Sequence, residues 1–511
     1  MNALIHPNDL RKALSDSLAQ PSEDIARHVL AMAGAHPGQI EKSISTGTGL
    51  VAYDLQAPAK NLYPVNTPLI KSLPRVGGVG TATHWNSVTG LSGSGFDASG
   101  WVPEGQRAGQ MSYVTASRSA AYATIGEEDQ ATWEAISAGR TYEDIQATMT
   151  MRLLQKMMLK EEMAVLAGNA SLQLGAPTAS TLAASGTGAT LPAATYSVIV
   201  VALSLEGYRN SSVAGGVATT RTITGADGKT FTLNGGSSNK SSNTTQAVTL
   251  GQALSATVPG VSGAVAYAWY VGAAGSETLQ AITPINSAVF SAPLASSRQA
   301  ATAITADCST NATAFDGLLT TAFKPGAGAY VNALATGTPG QGTTLTASGH
   351  GSVNEIDAMM QSMWDQYQVS PTVLWVNSQQ LKDIATKVLS TSGGAPLLQY
   401  FQTPADGEAR MTAGVAIDFY FNPFLNGGMR IPIKIHPMVP PGTIIGYAAD
   451  LPLQYQSNET PNVAEVRVRR DYYQVDWPVT TRAQMVGVYA EETLAIYAPF
   501  AMAAITNIAA G

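Results

Sequence analysis

The sequence predicts an α+β protein into which an all-β module is inserted. Helical and strand-like patterns are segregated along the chain without regular βαβ alternation, which is typical of the α+β class. Residues 141–169 carry the pattern of one long helix, and residues 176–311 differ from the rest in composition. These 136 residues contain 9 charged side chains, whereas the other 375 contain 54, so we interpret them as a separate module.

Length and charge limit the class of protein. The 511 residues give room for about three domains. Charged residues make up 12% of the chain, about half the usual share, and surfaces poor in charge are often covered by another molecule. The net charge of -7 argues against a protein whose main task is to bind nucleic acid. It still allows a protein that contacts DNA only by enclosing it.

The cysteine content and the N-terminus indicate where the chain is used. Cys308 is the only cysteine, so one chain has neither a disulfide framework nor a cysteine metal site. The opening "MNALIHPNDLRKALSDSLAQ" lacks the basic segment and apolar run of a secretory signal. We therefore expect the protein to be made and used in a cytoplasm.

The first part of the chain predicts a helix, an arm and a hairpin. Residues 8–33 have apolar positions at helical spacing, and the following segment has little periodicity up to Pro74. Two β-rich runs then follow, "TATHWNSVT" and "MSYVTASRSAAYATI". Arms of about 15 residues make a hairpin about 50 Å long. Because an isolated hairpin is marginal in water, we expect its partner to be another molecule.

The stretch between these two runs is an unusual loop. It reads "GLSGSGFDASGWVPEGQRAG" over residues 90–109 and has neither a helical nor a strand period. Long loops of this kind usually have a function or are disordered. Phe96, Trp101, Glu104 and Arg107 are the residues in it that could contact a partner.

The long helix is the clearest element in the sequence. Thr141 and Asp144 resemble a capping box, and Gly168 with Asn169 suits the end of a helix of about 27 residues. Its predicted buried face repeats every four residues and consists of Ile145, Met149, Leu153 and Met157.

The same helix carries a basic stripe formed by Arg152, Lys156 and Lys160. Two interpretations stay open. The stripe could contact a polyanion, such as packaged DNA or an acidic scaffold, or it could be a solvated face partly neutralised by Glu161 and Glu162. Charge runs on helices are more often solvated.

The module at residues 176–311 predicts an immunoglobulin-like or fibronectin-like β-sandwich. Strand signals such as "TYSVIVVALSLEGY" and "AVAYAWYVG" alternate with turn-rich stretches, and Asp227-Gly228 predicts a hairpin turn. Without paired cysteines the finer topology stays open. If the module was inserted into another fold, we expect its two ends to lie close together and its removal to be tolerated.

Elements downstream of the module complete the α+β pattern. "NEIDAMMQSMWDQYQ" predicts a helix, "PTVLWVNSQQLKDIATKVL" a strand followed by a helix, and the remainder mostly antiparallel strands.

The C-terminal "LAIYAPFAMAAITNIAA" is either a buried strand or a tail anchor. Pro499 and Asn507 interrupt the roughly 20 apolar residues that a span would need, which favours the strand.

Motifs for enzymatic chemistry are missing from the sequence, so we expect no catalytic residues, cofactor or metal. "GADGKTF" has Ile223 where a phosphate loop needs glycine. The six histidines lack ligand spacing. Glu127, Glu128 and Asp129 could form an acid/base pair, but they fit better as solvated carboxylates in a turn at a strand end.

Taken in order, several blocks resemble the major capsid protein of tailed bacteriophages, which has the Hong Kong 97-type fold. These blocks are "NTPLIKSLPR", "WVPEGQRAGQMSYVTASRSAAYATI", "DIQATMTMRLLQKMMLKEEMAVLAGN", "PTVLWVNSQQLKDI", "RIPIKIHPMVPPGTIIGY" and "AQMVGVYAEETLAIYAPFAMAAITNI". The resemblance implies an N-terminal arm, an extended hairpin called the E-loop, a peripheral domain with a long spine helix, and an axial domain. The sandwich departs from the minimal family pattern and is expected as an insertion exposed on the outer surface.

On this resemblance the chain divides into seven segments. They are an N-terminal helix and extended arm at 1–74, the E-loop hairpin at 75–125, a peripheral domain with the spine helix at 126–175, the inserted immunoglobulin-like sandwich at 176–311, a peripheral-domain return at 312–350, the axial domain at 351–455, and peripheral-domain strands with the C-terminus at 456–511.

The resemblance implies a self-assembling, non-enzymatic shell protein. Hexamers and pentamers would enclose the double-stranded DNA genome of a tailed phage, with assembly in the host cytoplasm and location in the virion capsid. Expected partners are further copies of the chain, the portal, and a scaffolding or decoration protein, with DNA as contents and no membrane. The alternative function, taken from the sandwich alone, is a secreted or surface adhesin that binds carbohydrate.

The resemblance also assigns roles to the loop at 90–109. Phe96 and Trp101 would contact a neighbouring subunit at the E-loop tip, and Glu104 and Arg107 would pair across that contact. Some family members join subunits through an isopeptide bond from an E-loop lysine. This chain has no lysine between Lys71 and Lys156, so we expect noncovalent shells.

Overall fold

The hairpin predicted from the two β-rich runs is present in the computed structural model. The structure describes residues 65–92, 101–107, 109–110, 112–140, 143–349, 351–389, 417–425, 428–452 and 462–510. The helix predicted at 8–33, most of the arm, and Phe96 lie outside these residues. A 3-10 helix at Ile70–Ser72 comes first, and strands β1 (Arg75–Gly77), β2 (Ala82–Ser92) and β3 (Ser112–Ala121) follow it.

Strands β2 and β3 form a two-stranded antiparallel sheet of their own. The ladder runs from the pair Ala82 and Ala121 to the pair Ser92 and Ser112. Its strands have 11 and 10 residues, about 35 Å, rather than the predicted 15. The second run is shorter because the chain leaves the hairpin at Tyr122 and enters a different sheet.

That second sheet has four strands in the order β1-β20-β21-β4. Its further members are β4 (Ala123–Thr132), β20 (Ala464–Asp476) and β21 (Ala483–Ile496). Strand β1 runs parallel to β20, and the other neighbours are antiparallel. The prediction of a turn at Glu127–Asp129 was wrong, because these residues pair with Val486–Val488 in the interior of β4.

The long predicted helix packs on this sheet. Helix α1 (Trp133–Gly139) precedes it, and the long helix itself, α2, spans Ile145–Ala167. Met149, Leu153 and Met157 are buried in one cluster with side chains of β21, which confirms the predicted buried face. The helix has 23 residues, and its cap is Asp144, whose carboxylate accepts the N–H groups of Gln146 and Ala147, both at 3.1 Å. Thr141 lies outside the described residues.

Two antiparallel sheets build the inserted module. One contains β6, β9, β10, β12 and β13, the other β5, β11 and β14, and β7 pairs with β8 alone. The strands are β5 (Thr181–Ser185), β6 (Ala194–Leu203), β7 (Thr220–Thr224), β8 (Thr230–Asn234), β9 (Ser237–Lys240), β10 (Thr244–Val248), β11 (Ala253–Thr257), β12 (Ala266–Gly272), β13 (Thr278–Thr283) and β14 (Ser287–Phe290). Buried side chains of both sheets share one core that includes Trp269.

Local patterns within the module were mostly, but not always, informative. The predicted turn at Asp227-Gly228 joins β7 to β8, and Gly228 has a φ of +76°, which favours glycine. "SLEGY" was expected to continue a strand. It instead forms helix α3 (Leu205–Asn210), because the Ser204 hydroxyl caps it by accepting the Gly207 N–H. The assignment as an immunoglobulin-like domain stays a prediction.

The two ends of the module lie side by side, which confirms that expectation. The Asn311 N–H donates to the Asn169 carbonyl at 2.8 Å, and the Leu174 N–H donates to the Ser309 hydroxyl at 3.0 Å. The module is nevertheless joined to the rest of the chain, since Leu205 belongs to the main hydrophobic core outside it. Removal of the module therefore also removes part of that core.

A six-stranded mixed sheet holds the main core, in the order β15-β22-β19-β16-β18-β17. Its strands are β15 (Tyr330–Ala333), β16 (Val373–Val376), β17 (Phe419–Asn422), β18 (Met429–Ile435), β19 (Ile444–Tyr447) and β22 (Met502–Thr506). Helices α4 (Leu318–Phe323), α5 (Asn354–Tyr367) and α6 (Ser378–Leu389) accompany it. Three of the five strand pairings are antiparallel. The mixed α+β class is thus confirmed.

Strand β22 settles the two interpretations of the C-terminal segment. All five of its residues are buried in the sheet, and Pro499 begins a 3-10 helix just before it. The segment is a buried strand, as favoured. None of the helices in the described part of the chain has the length and apolar character that a membrane span requires.

Candidate assembly site

The hairpin is fixed to the protein at one end, which we call its root (residues 74–85). The Gly78 N–H donates to the Val468 carbonyl at 2.8 Å. Arg469 donates to the Gly80 carbonyl at 3.1 Å. Farther along the root, the ring of Trp85 meets that of Tyr497 edge-on, with centroids 5.4 Å apart. Strand β20 and the end of β21 therefore hold the root in place.

The other end of the hairpin is exposed. Trp101 is 89% exposed and Val102 45%. The Gln106 N–H donates to the Pro103 carbonyl at 3.1 Å, and Gly105 between them has a φ of +80°, so this tight turn favours glycine. The turn presents the tryptophan to solvent beside residues that are themselves exposed.

The predicted tip residues are Phe96, Trp101, Glu104 and Arg107, and the structure describes the last three. Glu104 and Arg107 are both exposed, and in the described part of the chain no ion pair joins them. Phe96 lies outside the described residues. The role of all four predicted tip residues between subunits stays a prediction.

A buried carboxylate lies below the root. Glu162 is 0% exposed and accepts the N–H groups of Leu69 and Ile70 at 2.8 and 2.9 Å. Its Oε1 also lies 2.7 Å from Nε2 of His436. Because Nδ1 of His436 accepts the Met438 N–H at 3.1 Å, Nε2 carries the hydrogen and donates it to Glu162. One side chain of α2 thus ties together the segment before β1 and the turn after β18.

A second buried group surrounds Arg75, the first residue of β1. Its guanidinium donates to Glu161 of α2, to Asp471 of β20 at 2.6 Å, and to Glu492 of β21 at 3.1 Å. Tyr472 donates its hydroxyl to Glu161. Four elements therefore meet at one arginine. We call these five residues the Arg75 cluster.

Burial and charge shift the protonation of the Arg75 cluster. Burial, together with the charge of Glu161, raises the pKa of Glu492 to about 8, against the lowering effect of Arg75. Burial works against the charge of Arg75, but the carboxylates of Glu161, Asp471 and Glu492 raise its pKa overall. Burial and the hydrogen bond to Glu161 raise the pKa of Tyr472.

The positions of Glu161 and Glu162 correct one interpretation of the basic stripe. The sequence predicts solvated carboxylates that partly neutralise the stripe, but Glu161 and Glu162 are 1% and 0% exposed and belong to the two groups just described. The spacing of residues along the helix already indicated that Glu161 is buried. Glu161 continues the four-residue repeat of Met149, Leu153 and Met157, and Val165 follows it on the same buried face.

The basic stripe itself is divided by the structure. Arg152 and Lys156 are exposed. Lys160 turns to β4, where it forms an ion pair with Glu127 and donates to the Gly126 carbonyl at 3.2 Å. Two of the three predicted basic residues thus remain on the open surface, and their contact with a polyanion stays a prediction.

Metal and enzymatic chemistry gain no support from the geometry. Across the residues the structure describes, no three His, Cys, Asp or Glu side chains are placed to hold a metal ion together. Of the candidate acid/base residues Glu127, Glu128 and Asp129, the first pairs with Lys160 and the second accepts from the Tyr489 hydroxyl. The third accepts the Gln130 N–H at 2.8 Å.

Comparison with known proteins identifies a family. The family described as SU10 major capsid protein matches residues 42–509. No curated protein matches the sequence. Among solved structures, the capsid of a native GTA particle matches with a TM-score of 0.42 and 9% identity, over 92% of this chain and 100% of that chain. The capsid of Myoviridae phage XM1 matches with a TM-score of 0.41 and 9% identity, over 92% of this chain and 100% of that chain. Mycobacterium phage Bobi matches with a TM-score of 0.37 and 10% identity, over 91% of this chain and 99% of that chain.

Proposed function

Because the chain belongs to the SU10 major capsid protein family and is thus a structural capsid protein of a tailed phage, not an enzyme, we propose that it assembles as hexamers and pentamers. These would form an icosahedral shell around double-stranded DNA. The observation that carries the proposal is a hairpin fixed at its root whose far turn leaves Trp101 89% exposed. A two-stranded ribbon is marginal alone and gains stability when a neighbouring subunit covers it.

In this proposal the fold is of the Hong Kong 97 type. The hairpin of β2 and β3 is the E-loop, the four-stranded sheet with α2 is the peripheral domain, and the six-stranded sheet is the axial domain. The segment boundaries given above apply to these parts. The support is the order of the elements along the chain and the packing of α2 on the four-stranded sheet.

The hairpin tip is the proposed contact between subunits. Trp101, with Phe96, would insert into an apolar site on the neighbour, and Glu104 and Arg107 would pair with charges there. Exposed aromatic side chains of this kind commonly supply most of the binding energy of an interface. The high exposure of Trp101, and that of Glu104 and Arg107 beside it, support this role.

Other partners follow from the shell. We place the inserted module on the outer surface and Arg152 and Lys156 on the inner surface, where they would face packaged DNA or an acidic scaffold. Portal, scaffolding and decoration proteins would be further partners, and assembly would take place in the host cytoplasm. The adhesin alternative is weaker, because the family match spans the module and the segments on both sides of it.

A shortened hairpin tests the proposal. Asn86 pairs with Ser117 in the ladder, so residues 87–116 can be replaced by the two-residue turn Asn-Gly. Wild-type protein should give uniform shells or hexameric plates by negative-stain electron microscopy. The shortened protein keeps the contact between Trp85 and Tyr497 and should stay folded but unassembled. Normal shells from the shortened protein, or only monomers from the wild type, would contradict the proposal.

A further inference from the structure

Two buried carboxyl groups face each other inside the Arg75 cluster. Glu161 is 1% exposed and Glu492 0%, and both contact the one guanidinium of Arg75. In the part of the chain that the structure describes, Oε1 of Glu492 is buried without a hydrogen-bond partner. A buried carboxylate oxygen without a donor is unfavourable, and so are two like charges side by side. A single added proton relieves both.

We infer that Glu161 and Glu492 share one proton, and that this proton determines how firmly Arg75 holds the root of the hairpin to the sheet. With the proton present, Arg75 faces two negative charges, those of Glu161 and Asp471. Without the proton, the site holds a third negative charge, and water must enter the site to solvate that charge. The contacts that join β1 to α2, β20 and β21 then weaken together.

The groups around Glu492 indicate which residue carries the proton. Glu161, from α2, already accepts hydrogen bonds from Arg75 and from the Tyr472 hydroxyl, whereas Oε1 of Glu492 has no partner among the described residues. From β20, Asp471 also faces Arg75, and it is 61% exposed. On the remaining neighbour, β4, the residue opposite Glu492 is Ala123, which does not titrate. Glu492 therefore holds the proton.

The direction of the pH effect follows. Burial and the nearby charge of Glu161 raise the pKa of Glu492 from 4.5 to about 8. Between these values the folded protein binds a proton that the unfolded chain has lost. The stabilisation is complete below 4.5 and is lost as the pH rises through about 8. The root should therefore be held most firmly in mildly acidic solution.

Hydrogen exchange on the full-length protein tests the inference. Peptides covering residues 74–80 report on β1, whose contacts include the Gly78 N–H bonded to Val468. Wild-type protein and Glu492→Gln are compared at each pH, which cancels the intrinsic pH dependence of exchange. At pH 9 the wild type should exchange several-fold faster than Glu492→Gln in this segment, and at pH 6 the difference between them should be clearly smaller.

The neighbouring Glu491 provides a matched control. It lies on the other side of β21 and pairs with Arg469 at 2.6 Å, so Glu491→Gln makes the same chemical change outside the cluster. That variant should keep the pH dependence of the wild type. Equal exchange of wild type and Glu492→Gln at pH 9, or the same difference between them at both pH values, would overturn the inference.

A second variant keeps the inference testable if Glu492→Gln does not fold. Glu161→Gln removes the charge that helps to raise the pKa of Glu492. The midpoint of the pH-dependent loss of thermal stability should then move to lower pH than in the wild type. A midpoint that stays in place would show that the two carboxyl groups do not share a proton.

Discussion

At the scale of single residues, the proposed assembly depends most on the exposed indole of Trp101. Its side chain is 89% exposed in the segment that joins the two strands of the hairpin. An apolar ring of this size gains most when another surface removes it from water. In the proposed shell, a contact made by Trp101 would be repeated at every copy of the chain.

Substitution of Trp101 by alanine should prevent or weaken assembly without unfolding the subunit. Loss of a buried interface aromatic costs about 2 kcal/mol or more at each contact. The measurement is the heat resistance of assembled particles, alongside the melting temperature of the unassembled subunit. Phe231→Ala serves as the control, because Phe231 is 51% exposed on β8 and lies far from the hairpin in sequence. Mutant shells as heat-resistant as wild-type shells would count against the role of Trp101.

At the scale of elements, helix α2 depends on its first turn as well as on its buried face. The carboxylate of Asp144 accepts two backbone N–H groups that would otherwise lack partners. The helix supplies Glu161 and Glu162 to the two buried polar groups, so its position fixes the segment before the hairpin. Fraying of this helix would therefore affect the root.

Replacement of Asp144 by alanine should lower the free energy of unfolding by about 1 kcal/mol, because the first turn loses its cap. Asp144→Asn is the matched variant, since an asparagine oxygen can also accept these bonds, and it should stay close to wild type. Chemical denaturation of the subunit gives both values. If the alanine and asparagine variants were equally stable, the cap would be unimportant.

Elements with a strong local pattern could be predicted from the sequence, whereas the buried polar groups could not. The hairpin, the buried face of α2 and the turn at Asp227-Gly228 each follow from residues close together in the chain. The Arg75 cluster joins residues 75, 161, 471, 472 and 492, so its formation depends on tertiary contacts. The one local clue was the position of Glu161 in the buried repeat of the helix.

At the scale of the whole molecule, the inserted module is joined to the C-terminal strand. Asn286, in the turn before β14, and Asn507, just after β22, are both buried and bond each other twice. The Asn286 N–H donates to the Asn507 side chain at 2.9 Å, and the Asn507 amide donates back at 3.1 Å. Asn507 also has a φ of +60°, an uncommon conformation that these bonds support.

Removal of the module should therefore lower stability, although its adjacent ends permit a short linker. Replacement of residues 178–309 by a Gly/Ser linker removes both bonds between Asn507 and Asn286 and takes Leu205 out of the main core, and each lost hydrogen bond costs about 0.5–1.5 kcal/mol. We expect the melting temperature of the subunit to fall by several degrees. Removal of the β7 and β8 hairpin alone, which keeps Asn286, should have little effect. An unchanged melting temperature after full removal would show that the module is dispensable for folding.

A small rotation of the hairpin about its root would move its far end by a larger distance. Its described ladder is about 35 Å long, so a rotation of about 5° at the root moves the far end by about 3 Å. If the tip contacts an adjacent copy, as proposed, a small adjustment where β1 meets β20 would carry the turn around Gly105 between distinct positions on that copy. Identical subunits could in this way fit sites of unequal curvature without any change in their own cores.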